Sequence, residues 1–254
     1  MSVRIAVLAD IHGNSWALEA VLRDARAAGV TRILNLGDIF WGPLDPRGTW
    51  ELLRREPSAL SVCGNQDRQT IEAPGGGLQD PGSGAREWLA SLPVTAADPD
   101  GILLCHGSPG SDTEYLLEDV SSGDARPRPP AGIAGALAEI SEPLVVCGHT
   151  HVPRLIEFAP GRYVLNPGSV GLQAYTDDLP VPHAMETGAP HACYAILDRA
   201  ADAWNVAFRR VIYDWRAASR AASAGGRPDW AYALTTGWAL RAAGGTGNAQ
   251  AASS

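Results

Sequence analysis

Residues 3–9 (VRIAVLA) form an almost unbroken apolar run rich in β-branched side chains, the pattern of a strand buried on both faces. The period then changes. Trp16, Leu18, Val21, Leu22 and Ala25 recur at helical spacing and Gly29 supplies a C-terminal stop, which predicts a helix over 15–28. A second strand over 33–36, a second helix over 47–55 and a third strand over 59–63 follow. This alternation predicts a parallel sheet with helices packed on it. In such sheets ligands gather at the carboxyl ends of the strands.

Further on the pattern loosens. Residues 74–84 (PGGGLQDPGSG) read as a flexible loop and 85–92 as a short helix. Segments 94–97 and 102–105 flank Asp98-Pro99-Asp100-Gly101, a hairpin turn. Residues 107–130, rich in Gly, Ser, Asp and Pro, read as a long loop, either shaping access to a site or a disordered excursion. A helix is expected over 131–141 and a strand over 144–147. Segments 154–158 and 163–165 make a second hairpin, and 191–197 and 204–212 a third, so the second half shifts to antiparallel structure. Helices over 214–223 and 229–242 close the pattern, and 244–254 is small and polar, a disordered tail. With no repeat and no linker, residues 1–243 are expected to form one domain.

Composition excludes more than it selects. The chain has 254 residues, 45% hydrophobic and 19% charged, as ordinary globular proteins do. A net charge of −8 argues against bulk nucleic-acid or membrane-surface binding. All 20 basic residues are arginine, which removes Schiff-base and P-loop lysine chemistry. No leader-like start and no apolar run near the ~18 residues of a membrane span are present, so a cytoplasmic protein is expected. Cys63, Cys105, Cys147 and Cys193 form no CxxC pair. They read as buried free thiols, with metal ligation the alternative.

The polar residues that follow the apolar runs carry the chemistry. In order they are Asp10-Ile11-His12-Gly13-Asn14, Gly37-Asp38, Gly64-Asn65, His106-Gly107 and Gly148-His149-Thr150-His151. Asp10 and His12 lie two apart at a strand end, where alternate side chains share a face and can chelate one cation. A carboxylate such as Asp38 can bridge two cations, and the Asn65 amide oxygen is a neutral ligand. His149 and His151 repeat the spacing of two. Taken singly, each motif also fits a cap, a turn or a loop residue, and Asn14 fits a helix cap. Together, two Asp, four His and one Asn suit a pair of divalent cations, with imidazole and carboxylate favouring Mn²⁺, Fe or Zn over Mg²⁺ or Ca²⁺.

The ordered pattern DxH, GD, GN, H and GHxH, spanning residues 3 to about 171, resembles the calcineurin-like metallophosphoesterase superfamily. Asp10-Ile11-His12-Gly13-Asn14, the helix Ala17–Leu22, Leu36-Gly37-Asp38 with Gly42-Pro43, and Asn166-Pro167-Gly168-Ser169-Val170-Gly171 resemble its YfcE-like and diadenosine-tetraphosphatase-like bacterial branch. The resemblance implies an α/β, four-layer α-β-β-α sandwich of two mixed sheets flanked by helices. It implies a metal-dependent phosphoesterase, most of all a phosphodiesterase. The substrate would be a small phosphoester, either a nucleotide-like diester or a dinucleotide. It further implies two divalent metal ions, Mn²⁺ first with Fe, Zn or Ni as alternatives, that activate a water for attack on phosphorus. One ion would be held by Asp10, His12, Asp38 and His151, the other by Asp38, Asn65, His106 and His149, with Asp38 shared.

One position departs from the family pattern. Many members carry a His after the Gly-Asn, where it meets the phosphate and protonates the leaving group; here Gln66 stands there. A glutamine donates a hydrogen bond but delivers no proton at neutral pH, and general-acid help is typically worth ~10²–10⁴-fold. This predicts a preference for good leaving groups. Asn65 and Gln66 are the catalytic candidates, and Gln66 and Arg68 the substrate-binding ones. Asp67 loses its usual partner and is assigned no specific role. Trp41 is assigned to packing, and His183 and His191 to structural or exposed positions. A phosphomonoesterase or protein phosphatase is the second enzyme reading. A non-catalytic scaffold, as in a retromer subunit that resembles this fold, is the third.

Overall fold

The structure is a computed structural model that describes residues 3–56, 59–72, 79–201 and 203–241. In chain order the elements are β1 (Arg4–Leu8), α1 (Ser15–Ala27), β2 (Arg32–Asn35), α2 (Pro46–Leu53), β3 (Leu60–Ser61), α3 (Asn65–Glu72) and α4 (Ser83–Ala90). Then come β4 (Ala96–Asp98), β5 (Ile102–Leu104), β6 (Glu118–Asp119), β7 (Arg126–Pro127), α5 (Pro130–Ala136), β8 (Leu144–Val146), β9 (Arg154–Ala159) and β10 (Arg162–Asn166). The chain continues through β11 (Ala174–Asp177), β12 (His183–Glu186), β13 (Ala192–Ala200), β14 (Ala203–Val211), α6 (Trp215–Ala224) and α7 (Pro228–Thr236).

Two five-stranded mixed sheets result, ordered β14-β13-β1-β2-β3 and β4-β5-β8-β10-β9. Strand alternation splits β1 between two cores. Ile5, Val7 and Ala9 point at the second sheet and meet Leu34, Leu36, Ile102, Leu104, Leu144 and Val146. Ala6 and Leu8 point the other way, into a core with Leu18, Val21, Leu22, Ala218 and Trp230 of the helices. The outer face of the second sheet carries Leu103, Cys105, Val145 and Cys147, covered by Leu116, Leu117, Ile133 and Leu137. The order is therefore helices, sheet, sheet, then α5 with the 107–130 segment: the four-layer sandwich expected. No helix among the described residues is long and apolar enough to cross a membrane.

Several boundaries differ from expectation, each for a physical reason. The helix expected over 131–141 stops at Ala136, yet Leu137 and Ile140 still pack into the outer core, so their apolar spacing reflected burial rather than helix. The helix expected over 229–242 stops at Thr236, because Gly237 takes a left-handed cap with φ 74°. α3 was not expected: its sequence NQDRQTIE has almost no apolar period. The 107–130 segment is ordered around the short β6–β7 pair, and 172–190 carries the β11–β12 hairpin. The expected tail 244–254 and residues 74–78 of the expected loop at 74–84 lie outside the described residues.

Candidate metal centre

All seven predicted ligands converge at the carboxyl end of the sandwich, where the strands of both sheets run out. Asp10 and His12 follow β1, Asp38 follows β2, and Asn65 opens α3 just after β3. His106 follows β5, and His149 and His151 follow β8. Five of the seven have left-handed backbone: Asp10 (φ 55°), His12 (51°), Asp38 (55°), His149 (69°) and His151 (61°). Non-glycine residues avoid that region, at ~1–3 kcal/mol each, and persist there where surrounding structure holds them. The strain turns each side chain off the end of its strand and into one small volume.

Glycines make that volume reachable. A Cβ on Gly64 would lie 2.2 Å from Asp38 Oδ1, and one on Gly37 would lie 2.4 Å from the Gly64 nitrogen. A Cβ on Gly148 would press on Ala9 and sit 3.0 Å from Asp10 Oδ2. The GD, GN and GH pairs are therefore packing requirements as well as motifs.

Two donor groups form. In one, Asp10 lies with His12 and His151; in the other, Asp10 lies with Asp38 and His106, each set within 4.8 Å. Asp10 thus belongs to both groups and Asp38 to one, whereas the resemblance gave the shared place to Asp38. His151 Nε2 is 3.4 Å from Asp10 Oδ1 and 3.1 Å from His12 Nε2. His106 Nε2 is 3.4 Å from Asp38 Oδ2 and 4.0 Å from Asp10 Oδ1. His106 Nε2 and Asn65 Oδ1 are buried without a hydrogen-bond partner among the described residues. Such atoms are costly to leave bare, and a cation would satisfy them.

Backbone carbonyls select the tautomers. A carbonyl oxygen only accepts, so His106 Nδ1 donates to Leu36 O (2.7 Å) and His12 Nδ1 donates to Trp41 O (3.1 Å), leaving Nε2 of each ring for a metal. His149 is reversed: Nε2 donates to Thr113 O (3.2 Å), which leaves Nδ1 as its ligating atom. The charges agree with a cation site. Burial disfavours the His106 cation, but Asp38 and Asp10 outweigh it and push the imidazole up to about 10. Burial and a neighbouring histidine push His12 and His149 down to about 4. Burial raises the Asp38 carboxyl, and the nearby charge of His106 more than offsets it.

The remaining candidates separate. Gln66 donates its backbone N–H to Asp38 Oδ1 (2.9 Å), and its side-chain Oε1 is buried without a partner. Arg68 lies on the rim with its guanidinium on Asp112 at 2.8 and 3.3 Å. Trp41 packs on Trp230 at 5.9 Å, as expected of a packing residue. His183 is buried, with Nε2 3.1 Å from the Tyr115 hydroxyl, and His191 stacks on Trp215. Asn14 caps α1 and also donates to Gly171 O at 2.9 Å. Cys63, Cys105, Cys147 and Cys193 are free thiols in neither donor group.

Asp67 is a correction. It has a definite role: its carboxylate accepts from the backbone N–H of Asp38 (2.8 Å), Ile39 (2.8 Å) and Gly64 (3.0 Å), binding the two loops that present Asp38 and Asn65. Burial and the nearby Asp38 charge push its pKa up to about 7. Sequence reading also missed Tyr175, whose ring meets His151 at 4.7 Å and whose hydroxyl donates to His149 O. Trp230, edge-on to His12 at 5.5 Å, was missed too, whereas Ser169, whose hydroxyl donates to Asp10 O, belongs to the Asn-Pro-Gly-Ser motif already singled out. No local signal marks the aromatic pair, because both come from distant elements.

Comparisons with known proteins follow the geometry. An uncharacterised protein of Methanocaldococcus jannaschii is 27% identical over 256 residues, covering 89% of this chain and 94% of that protein. A metallophosphoesterase from Sphaerobacter thermophilus has a solved structure similar to this one at TM-score 0.71 and 29% identity, covering 93% of this chain and all of that one. A putative diadenosine tetraphosphatase shares the fold at TM-score 0.53 and 18% identity, covering 83% of this chain and 94% of that one. The model of the calcineurin-like phosphoesterase superfamily domain matches residues 3–198, and the chain, with all seven candidate ligands inside that span, belongs to that superfamily.

Proposed function

We propose that the protein is a phosphodiesterase that hydrolyses a nucleotide-like diester through a binuclear metal centre. The observation that carries the reading is the convergence of seven oxygen and imidazole donors, five of them on left-handed backbone, around two groups that share Asp10. The donor set fits two borderline divalent cations, Mn²⁺ first, with Fe, Zn or Ni as alternatives. Bound there, such ions supply a hydroxide nucleophile at neutral pH and neutralise charge on the phosphoryl oxygens.

The chain's own residues do the rest. Asp67 fixes the Asp38 and Gly64 loops, and Leu36 O, Trp41 O and Thr113 O aim the imidazoles. The Asn65 oxygen is buried without a partner among the described residues, and Gln66 stands beside Asp38 where it can donate an amide N–H to phosphate. Gln66 donates no proton, so the leaving oxygen departs unassisted by that residue, which favours diesters with acidic alcohols and pyrophosphate linkages over alkyl monoesters. Arg68 reaches a substrate only by leaving Asp112. The four free thiols suit a reducing compartment such as the cytoplasm.

The test is hydrolysis of bis-p-nitrophenyl phosphate against p-nitrophenyl phosphate with Mn²⁺, in wild type and His149→Ala. Faster diester cleavage, lost in the variant, is the expected result. Faster monoester cleavage would overturn the diesterase assignment. Bound metal that hydrolyses neither would overturn it as well, and failure to bind metal would favour a scaffold.

A further inference from the structure

Beside the metal centre lies a cleft of about 990 Å³ whose wall includes Asn65 and His149, and which belongs to that site. A second opening lies along the side of the sandwich, between β14 of the first sheet and the β9–β10 pair of the second. It is a cavity of about 300 Å³ lined by Leu155, Tyr163, Trp204 and Val206 among others. Leu155 is 40% exposed there. Phe208, two positions on from Val206 and so on the same face, is 44% exposed and carries the apolar surface further along β14.

The edge above this cavity differs from the other sheet edges. A free row of backbone N–H and C=O groups recruits another strand, so sheet edges are usually kept short, bulged or covered. Of the edge strands, β3 has two residues and β4 three. β9 has six, but its register skips Phe158, since Tyr163 faces Glu157 and Arg162 faces Ala159. β14 has nine residues, no proline and an unbroken register with β13. Among the described residues its backbone bonds to no element other than β13.

The side chains of β14 suit one particular strand. Antiparallel pairing about a two-fold axis at Ala207 sets Val206 against Phe208 of the second copy, Asn205 against Arg209 and Trp204 against Arg210. Directly opposed side chains are the ones that interact, and in this register no like charges are opposed. Arg209 is already tied to Asp24 at 2.8 Å, whereas Arg210 is exposed and holds no acid among the described residues. Its counterpart is at the other end of the strand. Trp204 lines the cavity with Tyr163, and Glu157, exposed, lies opposite Tyr163 on β9. The two-fold axis therefore brings Arg210 of each copy towards Glu157 of the other. We propose that the protein forms a dimer in which β14 pairs with β14 of a second copy, joining the two first sheets into one of ten strands and closing the side cavities. Such an interface is isologous, the same patch on both copies, as closed two-fold dimers require.

The full chain is tested by light scattering and sedimentation at micromolar concentration. Wild type is expected at the mass of two chains. Ala207→Glu, which sets two carboxylates against each other on the axis, is expected at the mass of one, with an unchanged circular dichroism spectrum. Arg210→Glu and Glu157→Arg should each raise the dimer Kd by roughly tenfold or more, and their combination should restore it. Register is read by cross-linking with oxidised glutathione. Ala207→Cys should give a disulfide-linked dimer, while Asn205→Cys, whose two copies stand ~13 Å apart, should not. A monomeric wild type overturns the proposal and leaves the cavity to a small apolar ligand or an unrelated strand. A dimer that survives in folded Ala207→Glu places the interface elsewhere and overturns it too. Cross-linking at 205 and not at 207 overturns the register. Should Ala207→Glu not fold, the two cysteine variants decide.

Discussion

A single hydrogen atom in place of a methyl group makes room for Asp38. The Cβ of an alanine at 64 would lie 2.2 Å from Asp38 Oδ1 and 2.5 Å from the Asp38 nitrogen, with backbone on one side and a ligand on the other. Gly64→Ala is therefore expected to bind Mn²⁺ at least roughly tenfold more weakly, the loss seen when the groups orienting a ligand are disturbed. Metal content after gel filtration and a calorimetric titration measure it, with circular dichroism to confirm folding. Wild-type affinity in the variant would mean that Asp38 can shift without cost. At this scale the candidate ligands were legible as a set that comes together, because each is a polar residue placed directly behind an apolar run. Asp67 was not. Its role lies in bonds to Asp38 and Ile39, which are 29 and 28 positions away, and nothing local to Asp67 announces them.

Among the elements, α7 shows how a peripheral helix reaches the site. Pro228 starts it, Gly237 ends it, and Trp230 on its inner face is 4% exposed. The Trp230 ring lies edge-on to His12 and against Trp41, the residue whose carbonyl sets the His12 tautomer. Trp230→Ala should lower stability by about 3–5 kcal/mol, the usual cost of emptying a buried aromatic site. Urea denaturation gives the value, and a loss under about 1 kcal/mol would show the site collapsing around the cavity. Sequence reading found the elements whose own residues set the period, among them β1 to β3 with α1 and α2, and the β4–β5, β9–β10 and β13–β14 hairpins. Those it missed, α3 and the β11–β12 hairpin, are polar or mixed in pattern and owe their form to neighbours. α3 lies beside the metal loops, and β11–β12 packs against α7.

Across the whole molecule the ligand set is divided between the sheets. Asp10, Asp38 and Asn65 come from the ends of the first, His106, His149 and His151 from the ends of the second. Cations at this seam would fasten the two halves of the sandwich. Saturating metal at 100 times Kd is expected to stabilise the fold by ~2.7 kcal/mol, which for a chain of this size raises Tm by roughly 5–10 °C. Thermal melts with Mn²⁺ and with a chelator test it, and coincident melts would mean that ions do not join the sheets. The helix-covered parallel part of the first sheet was legible from the alternation of periods, whereas the four-layer order came from the family resemblance. The depth of the cleft was legible in neither, because it is bounded by segments 107–130 and 172–190, whose patterns carry no period.

The division between sheets also imposes an order on assembly. Asp10 has no histidine partner from the second sheet until His106 is made, and the His151 that lies 3.4 Å from it comes 139 residues later than His12. The first strand waits longer still: β1 sits between β2 and β13, so one of its edges stays open until residues 192–200 are made. A chain made only as far as β3 therefore carries Asp10, Asp38 and an unpaired strand edge but none of the second sheet's histidines, which join the candidate centre later.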